Sequence, residues 1–272
     1  MDAPKKQETI TTKIWDEVSE DNNPFAAKTC YCSGFDVYGD LLGKASYIEY
    51  LYLLFKLEPP SQKQSKLLEG IAVALANPGI RDHSVRGAMN AGVGGSTHAS
   101  ALMAALAVGA GNLGGGREVY TAVQYWESCA LDIDAWEEMI KCPPVEERVD
   151  VWPPMEHAPG FDPNGVSCTL PVRQVLAHLV QVGESKKLEW LQDNRERLET
   201  FAGCPLAMSG VAAAALHELQ LSPNQSEMLF LLLRLPGAAV HALEQEQLGW
   251  RRYPFFGEGL KLQEYHSTGE KE

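Results

Sequence analysis

Residues 77–118 read NPGIRDHSVRGAMNAGVGGSTHASALMAALAVGAGNLGGGRE, and this stretch decides the fold. It opens on a turn, Asn77-Pro78-Gly79, and a charged loop, Arg81-Asp82-His83. Small residues then dominate, from Gly92, Gly94 and Gly95 through Ala101, Ala104 and Ala105 to Gly109 and Gly111. The stretch closes on Gly114-Gly115-Gly116, next to Arg117 and Glu118. Helices this rich in alanine and glycine let backbones approach closely, which suits a crowded centre. The polar ends of such a centre can form a ligand site. On composition alone a tightly packed helical core with a flexible glycine loop is the plainer reading.

The whole chain has 272 residues, 45% of them hydrophobic, enough for one large core and for one or two domains. A formal net charge of −13 argues against nucleic acid and anionic membranes as partners. It does not repel an anionic substrate if a few arginines line the pocket. Among the six cysteines only Cys30 and Cys32 are close in sequence, and a C-x-C pair alone is a poor metal signature, so no metal is expected. The cysteines read as reduced thiols of a cytoplasmic protein. The first residues, MDAPKKQETITTKIWDEV, hold no apolar signal core. The apolar runs around Ala101 and Leu229 read as too short or too interrupted to span a bilayer.

Along the chain, residues 1–28 are polar and read as an extended arm that Ile14 and Trp15 can pin to the body. Ser46 is placed to cap a helix over 47–56, with Glu49 completing a capping box. Ile48, Leu51, Tyr52 and Phe55 form its apolar face, and Pro59-Pro60 stops it. Ser61 opens a second helix whose inner stripe is Leu67, Leu68, Ile71, Ala72 and Leu75. Residues 119–140 read as one amphipathic helix, and 145–167 as a proline-rich loop of the kind that often carries function. Helices are expected over 171–182, 186–200 and 208–219. Two more, 227–233 and 238–247, are expected on either side of Pro236-Gly237. No nucleotide-binding glycine fingerprint, tandem repeat or sustained strand alternation appears, so the chain reads as mostly α.

The segment GVGGSTHASALMAALAVGAGNLGGGREV resembles the centre of the citrate synthase superfamily, in particular its short, citryl-CoA lyase-like members. The resemblance covers roughly residues 30–260. Tyr31 to Leu42 is similar to a family strand and turn, with Cys32 or Ser33 in place of the usual arginine. Met155 to Pro163 resembles the segment whose histidine sits at the reacting carbonyl. His157 matches that histidine and Asp162-Pro163 an Asp-Pro pair, while Asn164 stands where the family has arginine. An imidazole there can donate to a developing oxyanion. Arg234 to Gln245, RLPGAAVHALEQ, closely resembles a motif whose arginine holds a substrate carboxylate. The planar guanidinium fork suits that task, and a salt bridge on a C-terminal helix is the plainer alternative. His241 in the same motif reads as packed against the core. Arg252, in Arg251-Arg252-Tyr253-Pro254, matches a tail arginine that reaches the partner subunit's site, which implies a homodimer.

The departures from the family are informative. The histidine of the family's LHGG falls on Leu113, before Gly114-Gly115, and the lyase-like relatives also lack it. The histidine of a D-H-G turn falls near Asn77, with His83 close by as a substitute. The catalytic aspartate of N-V-D-G falls on Ser209, and 234 − 209 = 25 residues separate it from Arg234, as in the family. A hydroxyl is a very poor base unless another group activates it.

The resemblance implies an all-α, citrate-synthase-like fold. It has one citrate-synthase-like domain over 29–265, made of a large helical part and a small mobile helical subdomain around 145–220, and a tail from 266. Coenzyme A, as a thioester substrate, is expected at Pro154 and Met155 and along Gly114 and Gly115. Arg234, Arg252 and Asn77 are the expected carboxylate-side residues, and His157, Ser209 and His83 the catalytic candidates. The activity implied is making or cleaving a C–C bond next to a CoA thioester of a carboxylic acid. Two alternatives stand beside it: other acyl-CoA chemistry such as thioester hydrolysis, against which the absence of a G-x-S-x-G elbow counts, and a non-catalytic binding protein on the same fold.

Overall fold

Three capping boxes start helices in the computed structural model, which describes residues 12–144 and 155–253. At the first, Ser46 Oγ accepts from Glu49 N (3.2 Å) while Glu49 Oε2 accepts from Ser46 N (2.7 Å), opening α1 (Tyr47–Lys56). Ser61 and Gln64 open α2 (Gln62–Leu75) in the same way, and Ser222 and Gln225 open the last long helix. Each box satisfies backbone donors that a helix start would otherwise leave unpaired. The stripes on α1 and α2 are buried at Leu51, Tyr52, Leu67, Leu68, Ile71 and Leu75. Eight further helices follow: α3 (His83–Val93), α4 (His98–Gly109), α5 (Gly116–Cys129), α6 (Ile133–Lys141), α7 (Leu170–Gly183), α8 (Lys186–Ala202), α9 (Met208–Glu218) and α10 (Pro223–Leu248). A single 3-10 turn, Trp250–Arg252, comes after them.

Two expected helices come out differently. The stretch 119–140 is broken at Ala130, whose φ of +46° cannot continue a helix. Asp132 then caps α6 by accepting from Asp134 N and Ala135 N. Conversely, Pro236 lies inside one continuous 26-residue helix, α10, and does not separate two. An interior proline removes a ladder bond and crowds the preceding turn. Here the next amide, Gly237 N, donates to Ala76 O at 2.7 Å, and a side chain at Gly237 would lie 2.6 Å from that oxygen. The defect is absorbed by a tertiary contact with the end of α2. Because it is unbroken, α10 is long and apolar enough to cross a membrane by length and composition. In the fold its Leu229, Phe230 and Leu233 pack in the core, and its Arg234 is buried.

The polar arm expected over 1–28 is, from residue 16, part of a small antiparallel sheet. Strand β1 (Asp16–Glu20) pairs with β2 (Asn23–Cys32), which pairs with the two-residue β3 (Phe35–Asp36). Most of the hairpin is exposed, Phe25 almost wholly, so it carries no alternation of buried and exposed residues for the sequence to display.

Packing produces one main core and one small one. The main core draws on α1, α2, α5 to α9 and the first half of α10, so residues 145–220 have no core of their own among the described residues. The small core joins Val85, Ala88 and Met89 of α3 to Ala101 and Ala105 of α4 and Ala238 and Ala242 of α10. Here the small residues of the 77–118 stretch set the spacing. A side chain at Gly92 would meet Ala242 O at 2.6 Å.

Within the main core, Trp126, Trp136 and Trp190 pack edge to face or tilted, and His217 of α9 lies 6.2 Å from Trp126. His217 Nδ1 is buried without a hydrogen bond among the described residues. Burial, with Lys187 nearby, lowers its pKa from 6.5 to about 4. As pH falls below 6.5 the unfolded chain takes up a proton that the folded chain refuses until about 4, so stability is full above that window and declines through it. Urea titrations across this range should show a shallower decline for His217→Leu than for wild type. Parallel curves would show that His217 is not the group responsible.

Candidate active site

The glycines of the 110–116 loop are dictated by backbone geometry. Gly114 sits at φ +63°, and a side chain at Gly115 would lie 2.3 Å from Gly111 O. This bend delivers the Gly114 peptide to two side chains. Its N–H donates to Glu118 Oε2, and its carbonyl accepts from Arg234 Nη1 at 3.0 Å. Glu118 is the third residue of α5 and reaches back over the helix start, as the acidic member of a capping box does, but one residue further.

A second loop, 155–165, is clamped onto the start of α9. Gly160 adopts φ +89°, and a side chain at Gly210 would lie 2.4 Å from Gly160 O. Ala207 N donates to Gly160 O at 2.9 Å, Asp162 N donates to Pro205 O at 2.8 Å, and Phe161 bridges to Leu206. The clamp carries Gly160 N and Ser209 Oγ to Glu118 Oε1, at 2.9 and 2.6 Å. It also brings His157 Nε2 to 3.5 Å from Glu118 Oε2. That approach is close enough for charge attraction, yet Nε2 makes no hydrogen bond among the described residues. The His157 and Glu118 side chains are 8% and 1% exposed, so the contact lies out of water.

Arg234 ties this network to α3. Its Nη2 pairs with Asp82 Oδ2, and its guanidinium lies over the Phe230 ring at 4.7 Å. Asp82 also caps α3 through Ser84 N and Val85 N. Gly114, His157, Ser209 and Arg234, separate expectations in the sequence, are therefore joined in one network with Glu118 at its centre. Glu118, which joins them, was passed over in the reading of the sequence. The sequence shows it only as an acid three residues into a helix that opens on a glycine run, a pattern that a solvated acid shares.

The other expected residues lie outside this network. His83 is the exposed first residue of α3. Asn77 is exposed, and its Oδ1 accepts from Gly79 N and faces His241 Nε2, both at 3.1 Å. Arg252 is exposed on the 3-10 turn. Met155 is half-buried, and Pro154 lies outside the described residues. A cleft of about 560 Å3 adjoins the 155–165 loop, lined among others by Cys168, Arg173, Arg195, Glu199 and Cys204. Burial pushes both cysteine thiols up, which makes them poor nucleophiles. Among the described residues no cluster of His, Cys, Asp and Glu could hold a metal ion. Chemically, the network offers an imidazole against a buried carboxylate, a pairing suited to proton transfer or to oxyanion stabilisation.

The architecture is that of citrate synthase-like proteins. The structure matches citryl-CoA lyase from Hydrogenobacter thermophilus with a TM-score of 0.71 at 17% identity, covering 97% of both chains. It matches ATP citrate lyase from Methanothrix soehngenii, solved with citrate and coenzyme A, equally well at 18% identity. That match covers 98% of this chain and 43% of the larger one, so the chain spans less than half of it. Citrate synthase from Thermoplasma acidophilum, solved with carboxymethyl coenzyme A and oxaloacetate, gives a TM-score of 0.56 at 16% identity over 84% of this chain and 61% of that one. No family model matches the chain, and no curated protein matches it by sequence. The chain thus has the all-α, citrate-synthase-like fold, expected from its 77–118 and 234–245 stretches.

Proposed function

We propose that this protein makes or cleaves a C–C bond next to a CoA thioester of a carboxylic acid, in the manner of a citryl-CoA lyase. The observation that carries the reading is the placement of His157: a buried imidazole held beside a carboxylate at the point where two loops meet. The full-length match to a citryl-CoA lyase supports it. In the cleavage direction, His157 accepts the proton of the substrate alcohol as the C–C electron pair moves onto the thioester carbonyl, leaving a keto acid and a CoA enolate. The enolate is then protonated to the acyl-CoA. Arg252, exposed and uncommitted to an ion pair among the described residues, is the residue proposed to hold a substrate carboxylate in a neighbouring subunit. Arg234 takes part only if a ligand carboxylate shares or displaces Asp82.

Ser209 is the less favourable nucleophile. The residue is 3% exposed and its hydroxyl donates to Glu118, which argues against thioester hydrolysis through it. A homodimer and a cytoplasmic location go with the proposal, the second supported by six free cysteines.

A panel of CoA thioesters, scored by thermal shift and then by turnover, tests the reading. Citryl-CoA or a close relative is expected to stabilise the protein and to be cleaved. Stabilisation by CoA thioesters with no turnover of any would replace the lyase with a binding protein, and neither effect would remove the acyl-CoA reading. Mixing Arg234→Ala and Arg252→Ala homodimers should restore activity if the two arginines serve one site from different subunits. Mixtures as inactive as the parents would place them otherwise.

A further inference from the structure

We propose that Glu118 is a positioning residue, which fixes His157 as its Nε2–H tautomer and leaves Nδ1 as the ring's acceptor. The inference deepens the lyase reading and, for its catalytic consequence, rests on it.

Glu118 is 1% exposed in a chain of net charge −13. A buried carboxylate is costly unless its oxygens are met by donors. Gly114 N donates to Oε2, and Gly160 N and Ser209 Oγ donate to Oε1. They come from a loop, a second loop and a helix start that are distant in sequence. His157 Nε2 is a further polar atom at the carboxylate, 3.5 Å from Oε2 and without a hydrogen bond among the described residues. An unprotonated Nε2 would set its lone pair against those of the carboxylate. A protonated one needs only a small ring movement to reach hydrogen-bonding distance, and such contacts often tighten when substrate binds. One of the two neutral tautomers is therefore selected.

The consequence is chemical. With Nε2 carrying the proton, the lone pair of neutral His157 lies on Nδ1, where it can take the alcohol proton. The positive charge then formed on the ring faces Glu118, as a carboxylate behind a histidine supports an imidazolium elsewhere. The arrangement also explains why Ser209 can be a serine. Its role in the network is to donate to Glu118, while the proton-accepting task passes to a histidine backed by a carboxylate from α5.

The test is spectroscopic first. In isotope-labelled wild-type protein, assigned with His157→Gln, the His157 Nε2 proton should appear as a slowly exchanging imidazole resonance, and Nδ1 should be unprotonated. In Glu118→Gln, folded by its amide spectrum, that resonance should be lost, and in Ser209→Ala it should persist. A wild-type His157 that averages between tautomers, or a resonance unchanged in Glu118→Gln, would overturn the proposal. Should Glu118→Gln fail to fold, the wild-type and Ser209→Ala spectra decide. A protected Nε2 proton in both supports the proposal, and its absence from either refutes it. The kinetic arm uses citryl-CoA. Glu118→Gln is expected to lower kcat on the order of a hundredfold with KM little changed. A loss confined to KM would overturn the positioning role. If wild type does not turn over citryl-CoA, the lyase reading falls, and the tautomer of His157 still stands or falls on the spectra.

Discussion

Replacing Arg234 by leucine is expected to cost about 3–5 kcal/mol of folding stability, because it strands Asp82 as an uncompensated, largely buried charge. Asp82 is 18% and Arg234 7% exposed at the side chain, so water repays little of that loss. The same substitution removes the donor to Gly114 O and so loosens the loop that feeds Glu118. Urea denaturation measures the cost, and a double-mutant cycle with Asp82→Asn isolates the coupling between the two residues. Arg234→Leu as stable as wild type would mean that the pair is not formed. For the variant that still folds, CoA-thioester affinity separates two roles. Loss of a charged hydrogen bond to a ligand carboxylate would weaken binding by roughly 1.5–3 kcal/mol. Unchanged affinity would make Arg234 a purely structural residue, committed to Asp82.

Replacing His157 by alanine should lower the turnover of a cleavable CoA thioester on the order of a hundredfold to a thousandfold, as loss of one preorganised group at a reacting oxygen does. The fold should survive, since Gly160 N and Ser209 Oγ still reach Glu118. Ser209→Ala should cost less, because it removes one of several donors to the carboxylate and no group that meets substrate. Equal losses for the two would return Ser209 to the chemistry. A His157→Ala protein that keeps full turnover would remove the imidazole from it.

How much of this was legible in the sequence depends on how far apart the interacting residues lie. The helix starts at 47, 62 and 223 are written in Ser46–Glu49, Ser61–Gln64 and Ser222–Gln225, residues that satisfy one another within a single turn. The mostly helical class follows from these local signals and from the apolar stripes on α1 and α2. The close approach of α3, α4 and α10 follows from the absence of bulk at residues such as Gly92. The split at Ala130 was hidden, because neither proline nor glycine marks it. The exposed hairpin was hidden because strands that bury little carry no pattern.

The sequence by itself determined the mostly helical class, through capping and periodicity, and its resemblance to citrate synthases pointed to the fold and nominated His157, Ser209 and Arg234. Only the tertiary structure decided that α10 runs through Pro236, that Arg234 is held by Asp82 from 152 residues away, and that Glu118 is the centre of a buried hydrogen-bond network. Glu118 takes its donors from positions 42 and 91 residues distant, besides its neighbour Gly114. A carboxylate near a helix start looks like any solvated acid until the chain has folded. Its role comes from the donors that converge on it once water has been excluded, and no spacing along the chain encodes that convergence.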